Sequence, residues 1–242
     1  MSSAFYVESW AACVSHGPEA EPQRLGLCRD DSVIPAGHRR RLGAYGRMAV
    51  ACGLSVTGAE SSDLVFCSRY GDVDLAYGLL KSLVAEELLS PAAFSLSVHN
   101  AVPGVMDIVR KSRVGHTAIA AGTESLSAGL AEAYAKLAAR PERAITFVFA
   151  EGEVPDQLKP FAEEKGHGRA LAMSLSAMPS EHSLCEIALS GGGDVAGLLD
   201  APRSEVLAGR MVEVLGGQAS HVAWRSRGLS WTLKRCAHAA AA

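Results

Sequence analysis

The run Ala144-Ile-Thr-Phe-Val-Phe-Ala150 is apolar on both of its alternating faces, broken only by one hydroxyl. A strand of that composition has no side to offer water, so it belongs inside a sheet covered above and below. The stripe Leu126, Leu130, Ala133 and Leu137, just upstream, has the spacing of a helix that buries one face. Together they predict an α/β domain with helices on both faces of its sheet.

The same reading extends along the chain. Residues 5–14 and 64–67 are strands by their aromatic and β-branched content. Residues 16–37 form a polar loop, and Leu42, Tyr45, Met48 and Ala49 mark a helix over 39–50. Leu75, Leu79 and Leu83 mark another over 75–89, stopped by Pro91. Asn100 caps a helix that carries Pro103 in its first turn and closes on Arg110, Lys111 and Arg113. Residues 117–121 are a strand of small residues, followed by the Leu126 helix. Alternation at 171–175 and 185–189 predicts two antiparallel strands closing the sheet, and a helix over 204–215 and a strand over 229–234 complete it. The expected sheet is mixed and mostly parallel. Residues 1–180 form the main domain, and 181–242 a strand–helix–strand extension packed on it.

Composition narrows the function. With 48% hydrophobic and 20% charged residues the chain builds a core, and a net charge of −3 argues against non-specific nucleic-acid binding. No apolar run reaches the roughly 18 residues of a spanning helix, and the start of the chain lacks a signal-peptide pattern, so a cytoplasmic location is expected. Six cysteines scattered without a Cys-x-x-Cys pair read as reduced core thiols rather than a metal site. Neither metal nor cofactor is expected.

Two segments carry more information. The first is Ser90-Pro-Ala-Ala-Phe-Ser-Leu-Ser-Val-His-Asn-Ala-Val-Pro-Gly-Val-Met-Asp-Ile108, and the second is His116-Thr-Ala-Ile-Ala-Ala-Gly-Thr-Glu-Ser-Leu-Ser-Ala-Gly129. Both resemble the approach to the active site in β-ketoacyl synthases, the condensing enzymes of fatty-acid and polyketide synthesis. The resemblance runs over roughly residues 5–176 and implies the N-terminal half of the thiolase-like fold. Arg39-Arg40-Arg41-Leu42, Phe66-Cys-Ser-Arg-Tyr-Gly71 and Phe94-Ser-Leu-Ser-Val-His-Asn100 are similar to short, stand-alone members, including chain-length-factor subunits of bacterial aryl-polyene pathways.

Condensing chemistry needs a thiolate at a helix N-terminus and two histidines. In the second segment the nucleophile position falls on Gly122, or Thr123 if the register slips, and neither is a thiol. The family's two histidines lie in a second half, and His182, His221 and His238 are in unrelated contexts. Ser125 and Ser127 lack the Gly-x-Ser-x-Gly spacing of a hydrolase elbow. Gly191-Gly-Gly193 hints at a phosphate loop, but Asp194 puts a negative charge there, so a turn is the better reading.

The resemblance therefore implies a non-catalytic partner of a full-length ketosynthase. Family dimers pair the strand before the nucleophile turn, here Thr117, Ala118, Ile119, Ala120 and Ala121, with Asn100, Val102, Val105 and Met106 of the preceding helix beside it. Ala92, Ala93 and Phe94 stand where the family walls the acyl tunnel. Arg39, Arg40 and Arg41 offer a docking face for an acidic acyl carrier protein. The alternative is an acyl-transferring or hydrolysing enzyme using Ser125 or His99, and a third reading is a self-associating scaffold.

Overall fold

A computed structural model describes residues 4–17, 20–56, 62–163, 166–190 and 197–237. Its strands are β1 (Ala4–Val14), β2 (Gln23–Gly26), β3 (Asp63–Cys67), β4 (His116–Ile119), β5 (Ile145–Glu151), β6 (Arg169–Ser176), β7 (Cys185–Ser190), β8 (Leu199–Asp200), β9 (His221–Ser226) and β10 (Leu229–Arg235). Its helices are α1 (Ala36–Arg39), α2 (Ala44–Val56), α3 (Val73–Val84), α4 (Pro91–Leu96), α5 (Ala101–Arg110), α6 (Ser125–Ala139) and α7 (Ser204–Leu215). The Gly191–Gly193 turn and His238 lie outside the described residues.

All ten strands join one sheet in the order β4-β3-β5-β6-β1-β7-β10-β9-β8, with β2 paired to β1. The apolar run becomes β5, and its alternation divides it between two cores. Ile145, Phe147 and Phe149 pack under α6 and α7, while Val148 and Ala150 pack under α2 and α5. Helices thus cover both faces, as a doubly apolar strand requires.

The expectation of a mostly parallel sheet does not hold. Among the described residues β3 runs parallel to β4 and β5, and β8 parallel to β9, but every other pairing is antiparallel. Only crossover helices let neighbouring strands run parallel, and the second half of the chain is connected mostly without them. Nor do the strands at 171–175 and 185–189 close the sheet. As β6 and β7 they flank β1 and lie in its interior.

The helix expected over 39–50 is split. A short α1 ends near Arg39, and α2 starts after Gly43 and runs on to Val56. Asp31 bridges the two, 3.7 Å from Arg39 and 3.6 Å from Arg47. The 75–89 helix stops at Val84, where Glu86 turns left-handed at φ 57°. Residues 91–96, read as the lead-in to the next helix, are helix α4, capped by Ser90 accepting from the Ala93 N–H at 3.3 Å. Asn100 occupies the N-cap of α5 but its side chain makes no capping bond. No described helix is long and apolar enough to cross a membrane.

Candidate functional site: the turn after β4 and the edge beside it

The β4–α6 turn keeps the strand-to-helix geometry of a nucleophile site without a nucleophile's freedom. Gly122 sits at φ 63°, a left-handed conformation that glycine adopts at little cost. A Cβ built there meets nothing within 4 Å, so the position opens outward. The first turn of α6 is already occupied by protein. The Ser125 hydroxyl donates to the Gly122 carbonyl at 2.8 Å and accepts the Ala121 N–H at 3.0 Å, and Ser125 is fully buried. Ser204, from α7, accepts the Leu126 N–H at 3.0 Å and donates to the Thr123 carbonyl at 2.8 Å. Ser226 donates to Glu124 at 2.6 Å. Helix-start N–H groups that would stabilise an anion are in part engaged. Ser204 and Ser226 lie some 80 to 100 residues downstream, and no local pattern announces them.

The other candidate side chains are equally tied down. His99 Nε2 is 2.8 Å from the Ser68 carbonyl, and its ring meets Phe66 edge-on at 5.9 Å. Cys67 is the thiol on the neighbouring strand end, but it is fully buried against Gly129, and burial pushes its pKa well up. His182 and His221 are exposed and distant in the sheet order from β4. No group of three potential metal ligands gathers among the described residues.

The proposed interface residues divide. β4 is the edge strand, paired only with β3 among the described residues, and all four of its residues are partly buried. Ala118 packs toward α2 and α5, whereas Ile119 packs toward α6. Thr117 reaches Glu132 at 3.4 Å, Ala121 is partly buried and Ala120 is exposed past the strand end. On α5, Val102 and Met106, both expected at the dimer interface, face inward, Met106 meeting Gly53 of α2. Asn100 is exposed, Val105 is half-buried, and Ile108 stands 61% exposed on the outer side. His116 Nδ1 lies 2.8 Å from Asp107 and clips β4 to α5.

The apolar surface that the sequence reading missed is larger. Amphipathic α3 buries no residue, and Leu80, Leu83 and Val84 stay exposed with Leu88, Phe94 and Val98 nearby in sequence. Ala92 is exposed and Ala93 partly buried on α4, beside a Phe94 that is 63% exposed. Arg39 is held by Asp31, while Arg40 and Arg41 are exposed.

The sequence profile of the β-ketoacyl synthase N-terminal domain matches residues 8–232. The chain belongs to the β-ketoacyl synthase family. Solved structures agree on the ketosynthase, thiolase-like fold. A ketosynthase (ApeO) in complex with its chain length factor (ApeC) from Xenorhabdus doucetiae matches at TM-score 0.71 and 22% identity, over 96% of this chain and 99% of that one. The ishigamide ketosynthase/chain length factor matches at 0.65 and 12% identity, over 96% and 98%. A type II polyketide acyl-carrier protein in complex with its ketosynthase bound to the hexaketide (AntDE:AntF) matches at 0.64 and 10%, over 98% and 100%. No curated protein sequence matches significantly. For a β-ketoacyl synthase family member, the Ser125 and Ser204 bonds turn the front of α6 into a structural joint.

Proposed function

We propose that the chain is a non-catalytic, chain-length-factor-like subunit that pairs with a full-length β-ketoacyl-acyl carrier protein synthase in the cytosol. The observation that carries the reading is the unpaired β4 edge, bordered by an exposed apolar surface on α3, α4 and the outer side of α5. An open edge and an apolar arm of that size favour association, and a partner with the same fold offers a matching strand and helix. The interface would belong to the obligate class, on the order of 2,000 Å² or more. Family membership and the type of complex found among the structural neighbours support the choice of partner. Glycine at the turn and the engaged hydroxyl of Ser125 support silence rather than acyl transfer.

Co-expression with a ketosynthase, followed by light scattering on the purified material, tests the pairing. Ile119→Lys is a poor probe, because Ile119 also packs on the α6 core. Ile108→Asp and Leu83→Asp change only exposed apolar groups and should leave the isolated chain folded while abolishing the complex. Wild-type pairing that survives both substitutions overturns this interface. Intact-protein mass spectrometry after incubation with acyl-loaded carrier protein should find no adduct. An adduct on Ser125 would restore the enzyme reading.

Ala92, Ala93 and Phe94 are assigned to the acyl tunnel, and Arg40 and Arg41 to carrier docking, as parts of the same proposal. Ala93→Trp should keep the heterodimer and shorten the products, since an indole fills volume that a packed interface does not easily yield. Full-length product at the wild-type rate would place the tunnel elsewhere.

A further inference from the structure

Three of the six cysteines meet, although they lie far apart in sequence. Cys13 is on β1, Cys28 in the turn after β2, and Cys52 on α2. The Sγ atoms of Cys28 and Cys52 are 3.4 Å apart, and Cys13 lies beside them. The arrangement is held from two sides. Gly26, at φ 60°, turns the chain so close to Trp10 that a Cβ would lie 2.6 Å from the Trp10 carbonyl, which accepts the Leu27 N–H at 2.9 Å. Arg29 then anchors the turn to the end of α2, its N–H donating to Ser55 at 3.0 Å and its guanidinium to the Leu54 carbonyl at 3.4 Å. Cys28 is thereby suspended over Cys52.

The cluster is also accessible. Cys13, Cys28 and Arg24 line a cavity of about 740 Å³, Cys28 is partly exposed, and Cys52 is fully buried behind it. Interaction with its two neighbours pushes the Cys13 thiol down, while Cys13 pushes the thiols of Cys28 and Cys52 up. Exchange at this pair therefore begins when the partly exposed Cys28 gives up its proton to solvent, the thiolate being the form that attacks a disulfide.

We propose that Cys28 and Cys52 are a reversible dithiol–disulfide pair, opened and closed through this cavity by a low-molecular-weight disulfide or thiol. In the first step the Cys28 thiolate, its proton lost to solvent, attacks one sulfur of the small disulfide, and one small thiolate leaves and takes up a proton from solvent. In the second, the Cys52 sulfur attacks Cys28, and the second small thiol leaves with the Cys52 proton. Two cysteine thiols are oxidised and one external disulfide is reduced to two thiols. An arrangement of this kind suits a transient, regulatory disulfide rather than a permanent one.

The test uses the purified full chain with oxidised glutathione as the probe. Native protein is quenched with N-ethylmaleimide and mapped by peptide mass spectrometry. The expected result is a Cys28–Cys52 link that dithiothreitol reverses, that forms unchanged in Cys236→Ser, and that Cys28→Ser abolishes. Circular dichroism melts establish that each variant is folded. Maleimide on both Cys28 and Cys52 after prolonged oxidation of native wild type overturns the pair, as does a glutathione adduct on Cys28 that never resolves.

Discussion

Glu151, at the end of β5, takes the N–H of Arg69 at 2.5 Å and the hydroxyl of Ser68 at 3.3 Å, and so holds the loop that leads into α3. Burial is the main influence on it and pushes its pKa up to about 7. A carboxyl raised in this way binds its proton more tightly folded than unfolded. Its contribution is fully present below the unfolded pKa and lost as pH climbs to the folded one, between about 4.5 and 7, at up to about 1.4 kcal/mol per pH unit. Glu151→Gln should therefore gain stability relative to wild type across that window, measured by denaturant unfolding at a series of pH values. A constant difference would mean the carboxyl does not titrate there. Ser125→Ala removes the acceptor for the partly buried Ala121 N–H and should cost about 1 kcal/mol in the same assay. Activity of the complex should survive it.

At the scale of elements, helix α6 depends on a glycine in its middle. A Cβ at Gly129 would sit 2.7 Å from Cys67 Sγ and 3.0 Å from the Phe147 ring. Alanine is the better helix former, yet neither buried neighbour has room to give. Gly129→Ala should destabilise the fold by about 1–3 kcal/mol, read from the urea midpoint. A gain in stability would show that the β3–α6 packing relaxes freely. The hairpin between β9 and β10 turns on Arg227 and Gly228, both at positive φ (50° and 78°), the pattern of a two-residue primed turn. That pair was a readable signal for β9, which the periodicity of 204–215 and 229–234 alone did not supply.

The whole molecule has one well-filled side and one open side. Cores lie on both faces of the central strands, and the last helix and strands extend the sheet away from β4. The β4 end keeps its edge and the apolar arm of α3 and α4. Expressed without a ketosynthase, the chain should self-associate, and light scattering over a dilution series should show concentration-dependent mass. A strictly monomeric species at all concentrations would argue that the arm folds back and needs no partner.

Local chemistry was sufficient wherever one element's own pattern set its state. The apolar run of β5, the stripe of α6 and the span of α7 are legible because burial on two faces or on one leaves a periodic trace in the residues themselves. The turn at Gly122 was legible through a family resemblance carried by residues adjacent in sequence. Tertiary packing decided what no window contains. Strand order depends on how each connection crosses the sheet, which placed β6 and β7, antiparallel as expected, in its interior beside β1. Pairing across the sheet faces turned Val102 and Met106 inward and left Ile108 outside. Long-range contacts bound Ser125 and Ser204 into one joint and brought Cys13, Cys28 and Cys52 together. A cysteine's sequence neighbours carry no record of a thiol that lies two elements away, so only the folded chain places three of them in contact.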